Sequence, residues 1–315
     1  MTGCWRPRLR ACPTTHDQRA AGQALPAIPV GLSARVGRVG APRLALPRAF
    51  VRADPADPSP GAHARPLVQE AVRQCAADDL LVLDAGFGVA LLQAAGAPRS
   101  VVRRAEHATC RPATPPASGG RGRPPQHGAL VRPVLRRYQG RVLPATRPDR
   151  VETWREATLL LRAERRDGVV RADADADRPP LVVLAIHDPR FRAPPLLATP
   201  LTLPARTRRD CDVDRWPIEQ LPLAAKQLLG AARQFVHAPA SCQRLPERTP
   251  LAGAVLSYAA APAPARPTGF WDRHPPPTPG RLRRRLAGTS FPHDFPLPAR
   301  IRATATVTSH LRTGF

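Results

Sequence analysis

Residues 78–105, DDLLVLDAGFGVALLQAAGAPRSVVRRA, decide how this chain is read. Leu80 to Leu83 form a short continuous apolar run, too short for a helix and dense enough for a buried strand. The run stops at Asp84, and a Gly-containing turn follows. VALLQAAGA has helical spacing, and SVVRRA reads as a second strand. Strand, helix and strand within one short span predict an α/β layer around a sheet.

The same reading extends outward. Upstream, residues 61–76 carry helical spacing at Leu67, Ala71, Val72 and Cys75. Residues 27–54 hold apolar runs broken by Gly and Pro, which predicts one or two strands. Downstream, PATPPASGGRGRPPQHG (112–128) is loop by composition. ATLLLRAERRDGVVRADADADRPP (157–180) predicts a strand pair turning at Asp167-Gly168. LVVLAIHD (181–188) and PPLLATPLTL (194–203) predict two further strands. Residues 212–235 are helical in spacing, with Pro217 placed for a first turn and Pro222 for a bend. From residue 262 the chain is Pro-rich and basic, with no internal repeat.

Composition limits the function. The 315 residues carry 48 Lys+Arg against 24 Asp+Glu, a net charge of +24. Such an excess suits a polyanionic partner, because neutralising phosphates releases counterions. Six cysteines occur without a C-x2-C pair, which argues against a zinc ribbon, and no secretory leader points to disulfides. No run of ~18 apolar residues exists to span a membrane. A reduced, cytoplasmic interior is the expected setting.

Lys226 is the single lysine, in DRWPIEQLPLAAKQLLG (214–230). On a helix at about 100° per residue, Arg215, Glu219 and Lys226 fall within roughly 40° of one another. Ile218, Leu221, Ala225, Leu228 and Leu229 are then free to face a core. A stripe of this kind is also what a solvated helix face with weak ion pairs presents. The other motifs carry less. DADAD (173–177) has Arg178 where a calcium loop needs Gly, so it reads as a solvated acidic loop. His107 with Cys110 is half a metal site, and His187 and His237 read as ordinary histidines. Trp5, Trp154, Trp216 and Trp271 read as core or interface residues rather than base-stacking platforms. The R-G-R-P within GGRGRPP (119–125) resembles a minor-groove hook, with a flexible loop as the plainer reading.

The segment 212–226 resembles the Y-x2-R-x3-E-x6-K signature of the DDE transposases of bacterial insertion sequences. Asp212 replaces the Tyr, and Arg215, Glu219 and Lys226 match. LVLDAGFGVALLQAAG resembles the strand of that family that ends in a catalytic Asp before a Gly-aromatic turn. GRGRPPQHG, RYQGRVLPATRPDRVETWRE, AIHDPRFRAPPLLATPL, AAKQLLGAARQFVHAPASCQRLPE and TGFWDRHPPPTPGRLRRRL extend the resemblance over most of residues 75–300.

The resemblance implies an RNase H-like α/β fold: a mixed sheet flanked by helices, a mostly β insertion, and Pro/Arg-rich loops and tail. The implied organisation is 1–107 as the first part of the core and 108–180 as a basic β-rich insertion. Residues 181–260 would be the second part of the core with the Glu219 helix, and 261–315 a basic tail. It also implies strand cleavage and transfer on double-stranded DNA at transposon ends by two-metal chemistry with Mg²⁺ or Mn²⁺. Asp84 and Glu219 would be the metal carboxylates, and Arg215 and Lys226 the phosphate contacts. A homodimer in the bacterial nucleoid is implied. The family needs a third carboxylate. Aligning WRPRLRAC (5–12) with relatives puts it at Met1, so the expectation is a truncated copy impaired in transposition. Asp17 and Asp188 are the remaining candidates for that carboxylate. A non-catalytic DNA-binding chain using Arg-rich loops, or a decayed remnant, is the alternative.

Overall fold

The computed structural model describes residues 2–5, 16–20, 23–40, 42–52, 54, 57, 62–97, 99–114, 117, 128–171, 179–231, 239–287 and 289, with side chains from residue 30 onward. Met1, Cys12, the R-G-R-P segment, DADAD and His237 lie outside the described residues.

The region read as one or two strands is a long hairpin with two short strands laid against it. These are β1 (Thr2–Trp5), β2 (His16–Ala20), β3 (Gln23–Arg38) and β4 (Arg43–Arg52). β3 is the spine, and β1, β2 and β4 all pair with it antiparallel. Asp17 therefore lies on a strand, opposite Pro26, where the sequence showed none. Helix α1 (Ala64–Gln74) follows and buries Leu67, Val68 and Ala71, the spacing that predicted it. Cys75 ends the helix and is exposed.

The deciding segment folds as read. β5 (Leu81–Leu83), α2 (Val89–Ala94) and β6 (Ser100–Arg104) form one parallel strand–helix–strand unit, with Leu81 opposite Ser100 and Leu83 opposite Val102. Next come β7 (Cys110–Pro112), β8 (Arg136–Tyr138), β9 (Arg141–Leu143), β10 (Arg150–Glu156), β11 (Leu159–Arg171), β12 (Leu181–His187) and β13 (Leu196–Thr199). The main sheet runs β10-β11-β12-β13-β6-β5, with β7 also on β11. Only β5–β6 is parallel among the described pairs of this sheet, so the sheet is mixed. β8 and β9 form a separate hairpin.

The predicted turn at Asp167-Gly168 is absent. β11 runs straight through it with a register shift between Arg166 and Val169, and Gly168 takes φ 59°. An extra residue in a strand is absorbed by a bulge, and a Gly supplies the left-handed backbone it needs. The strand thereby keeps Leu161 and Ala163, and beyond the bulge Val169 and Val170, in the core.

Both faces of the main sheet are covered, which explains the unbroken apolar run of LVVLAI. Leu83, Val102, Val183 and Ala198 face Leu67, Val68, Phe87 and Leu92 of the α1–α2 side. Val101, Val182, Leu184, Ile186 and Leu197 face the other side, where Ala205 of α3 (Ala205–Asp214) packs. The helical stretch 212–235 is broken in two: α3 stops at Asp214, and α4 (Pro217–Leu228) restarts on Pro217 at its first position. Pro at that position lacks only an N–H that the helix would leave unbonded anyway. Ile218 and Leu221 of α4 close a third cluster with Leu32 and Ala45 of the β3–β4 hairpin and Ala254 of α5 (Pro239–Ala260). A last helix, α6 (Pro279–Ala287), stands in the stretch read as basic tail. No described helix is long and apolar enough to cross a membrane.

Candidate active site

Asp84 leaves the end of β5, at the edge of the main sheet. Leu81 and Leu83 point to the α1–α2 side, so strand alternation puts Asp84 on the face shared by Leu80 and Val82. Its Oδ1 accepts the backbone N–H of Gly86 at 2.9 Å, which ties the carboxylate to the turn that follows. Asp84 is half-buried.

Beside β5 lies a cavity of about 390 Å³. One wall is Leu81–Leu83, the strand that delivers Asp84. The facing wall is Leu32 to Val36 of β3, and Arg215 and Ile218 of the α3–α4 junction close it. Arg215 is the residue after α3 and is 8 % exposed. Its Nη1 donates to Glu219 Oε1, four residues on and in the first turn of α4. Because the helix restarts between them, the pair spans two helices and still keeps the geometry of one. A carboxylate in a first turn is also favoured by the partial positive charge of the helix N-terminus.

Sequence reasoning missed a member of this group. Asp212, taken only as a replacement for Tyr, is a buried carboxylate 3.8 Å from Arg215 Nε and 3.7 Å from Arg103 Nη1. Burial pushes its pKa up, with Arg103 and Arg215 opposing the shift. Arg103 follows Val102, the partner of Leu83, so it stands on β6 next to Asp84's level of the sheet. The signal was present as an Asp three residues before Arg215, on one helix face. The site is thus a charge row, Arg103, Asp212, Arg215 and Glu219, of which Arg215 lines the cavity beside β5.

The remaining expectations separate. Lys226 is exposed, about two helical turns beyond Glu219. Arg215, expected on DNA phosphate, is spent on Glu219 and Asp212, so a phosphate would have to displace one of them. Asp188 is 4 % exposed and receives Arg190 N, Nε and Nη2 at 2.8–3.0 Å and Arg209 Nη2 at 3.2 Å. Those four donors fill a carboxylate's acceptor positions, and hydrogen bonding by Arg190 above all holds its pKa down to about 2. Asp188 is an ion-pair hub with Glu156, not a free ligand. Asp17 sits on β2 of the other sheet. Among the described residues no three His, Cys, Asp or Glu side chains converge to hold a metal ion. Asp84 bonded to its own turn and Glu219 bonded to Arg215 fall short of a two-metal donor set.

Two readings of single residues change. Trp154 packs against the core as expected, but Trp216 and Trp271 are 56 % and 70 % exposed. Cys110 is a buried thiol with its pKa pushed up to about 11 by burial, an inert core residue rather than half a metal site. No protein-family model matches the chain, and no curated protein matches it.

Proposed function

We propose that the chain is a DNA-handling protein of the DDE transposase type, RNase H-like in its core, that acts on phosphodiester bonds. One observation carries the reading. The junction holding the Arg215–Glu219 pair closes the same cavity that is walled by the strand ending in Asp84. Arg215 of one motif thus lies across a cavity from the strand that precedes Asp84 of the other. The net charge of +24 supplies the attraction to a polyanion. Asp84 and Glu219 are the acids of the site, Arg215 positions Glu219, and Lys226 offers an exposed cation to the DNA backbone. Mg²⁺ or Mn²⁺ would supply Lewis acidity to such a reaction. The acids described here do not complete a centre for two such ions, so no step is assigned to them.

That shortfall favours a second reading, a chain that binds DNA without cutting it. One assay separates the two. A supercoiled plasmid is incubated with the chain and Mg²⁺ or Mn²⁺, and nicking is followed on gels beside DNA affinity at several salt concentrations. Nicking that is lost in Asp84→Asn and in Glu219→Gln, with affinity kept, supports the cleaving reading. Steeply salt-dependent binding without nicking supports the binder. Nicking that survives both substitutions removes Asp84 and Glu219 from the chemistry.

A further inference from the structure

Phe270 and Trp271 are adjacent, 91 % and 70 % exposed, with ring centroids 5.0 Å apart at 78°. Aromatics make up only 4 % of this chain, and here two large rings stand in water instead of the core. They are also not on a loose tip. Asp272 accepts from Thr268 N at 2.9 Å and Thr268 Oγ1 at 3.0 Å, and Arg281 of α6 pairs with the same carboxylate. Arg281 Nη1 also reaches the carbonyl of Arg266 at 2.8 Å. The loop is therefore pinned to α6. The benzo ring of Trp271 lies against Gly269, where a Cβ would stand 2.4 Å from it, so this edge of the indole is seated on backbone. With 70 % of the residue exposed, the rest of the indole is open to solvent.

Arginines surround the pair. Arg266, Arg273, Arg283, Arg284 and Arg285 are exposed. A groove of about 300 Å³ runs between α6 and the stretch before Thr268, and its charged lining residues among those described are Arg266, Arg281, Arg284 and Arg285, with no acid. The Asp272–Arg281 pair joins the rim of this groove to the aromatic loop.

We propose that this face binds unpaired DNA, with the phosphate backbone in the arginine groove and a base stacked on the Trp271 indole, edge-on to Phe270. The partner follows from chemistry. A groove whose charged lining among the described residues is all arginine attracts phosphates, and an exposed indole beside it suits a flat base that a duplex does not present. The proposal rests on the DNA reading above and adds to it the form of DNA that is held. It also reverses the sequence reading of Trp271 as a core or interface residue.

The test uses the full chain and a fluorescein-labelled oligo-dT, with a duplex of equal length beside it. Binding is read by anisotropy, and tryptophan fluorescence is read with an unlabelled oligo. Phe270→Ala/Trp271→Ala is expected to weaken oligo-dT binding by ~10-fold or more and to leave the duplex affinity within about twofold. Trp271→Phe is expected to abolish most of the fluorescence quenching on binding. Arg284→Gln/Arg285→Gln is expected to lower the salt slope of oligo-dT binding by about 1.4. Gly269→Ala, which pushes the indole off its seat, is expected to weaken oligo-dT binding without loss of thermal stability. The proposal falls if the aromatic double variant binds oligo-dT like the parent, or if quenching survives Trp271→Phe. It falls alone if duplex binding and Glu219-dependent nicking persist in that result, and together with the DNA reading if the chain binds neither form.

Discussion

Arg208 and Arg209 are neighbours on α3, and replacing each by Met is expected to move stability in opposite directions. Arg208 is fully buried, and none of its three guanidinium nitrogens has a hydrogen-bond partner among the described residues. Burial, helped by Arg165 and opposed by Glu152 and Asp167, lowers its pKa to about 10. At ~1.36 kcal/mol per unit, holding the charge in place costs about 3 kcal/mol. Arg208→Met keeps the aliphatic stem and removes the charge, so the fold should gain ~2–3 kcal/mol. For a chain of this size that is a rise in Tm of roughly 5 °C. Arg209 is also buried, but it reaches Glu156 at 3.1 Å and Asp188 at 3.2 Å. Arg209→Met removes one of the two arginines that pair with these acids, leaving Arg190 on both, and should cost ~1–2 kcal/mol. Thermal melts by circular dichroism at pH 7, checked by urea titration, read both. A Tm for Arg208→Met that falls by as much as that of Arg209→Met would refute the reasoning, because it would require a partner for the guanidinium that the packing does not provide.

Hydrogen bonding by Arg190 holds the pKa of Asp188 down to about 2, below its ordinary 3.8, so its pairing stabilises the fold fully above 3.8 and is lost as pH falls through about 2. Asp188→Asn should therefore lose ~2 kcal/mol at pH 7, and acid unfolding curves of parent and variant should converge near pH 2. Gly253 lets α5 approach α4, since a Cβ there would stand 3.3 Å from Ala224 Cβ and 3.4 Å from Ala225 N. Gly253→Val is expected to cost ~1–3 kcal/mol by overpacking and, by shifting α4, to reduce any nicking more than Gly253→Ala does. Lys226 is exposed while Arg215 is buried between two acids, so Lys226→Gln should lower the salt slope of duplex binding by about 0.9 with Tm unchanged. Arg215→Gln should instead lower Tm, and a salt-slope change without a Tm change in Arg215→Gln would contradict its role as the support of Glu219.

The elements that were legible are those whose signal is local. Leu80 to Leu83 and LVVLAI announce strands because a chain buried on both faces needs an unbroken apolar run. The α1 stripe announces itself because Leu67 and Ala71 repeat with the helix. What failed depends on tertiary context. Asp167-Gly168 is a good hairpin signal, yet β12 on one side and β7 beyond the bulge hold β11 extended through it. α5 contains Pro246 and Pro250, which argue against a helix of 22 residues, and packing on α4 and β4 overrides them. α6 was hidden in composition, because Leu282 and Leu286 repeat with the helix but stand among four arginines in a stretch read as tail. In the site, Arg215 with Glu219 was legible from spacing alone. Asp212 was not, because its meaning comes from Arg103, which lies more than a hundred residues away in the chain and reaches it only across the sheet.

The charge row explains why the helix break at Arg215 and Trp216 leaves the pair intact. A continuous helix would fix Arg215 to Glu219 through backbone alone. Here the backbone restarts at Pro217, and the guanidinium is oriented from both sides, by Asp212 behind it and Glu219 ahead. Asp212 in turn is held against Arg103 of β6, and Asp214 pairs with Arg43 of β4. The junction is therefore referenced to the main sheet and to the hairpin at once. The cavity beside β5 lies between those two bodies, so a displacement of either is felt at Glu219 through Arg215. Arginine suits this task better than lysine, since a planar fork with several donors can bridge two acids in fixed directions. Lys226 has no such duty, and a compact, exposed point charge is what a mobile phosphate contact requires. The one lysine in an arginine-rich chain thus stands where geometry is not imposed by buried partners, while the arginine of the same motif stands where it is.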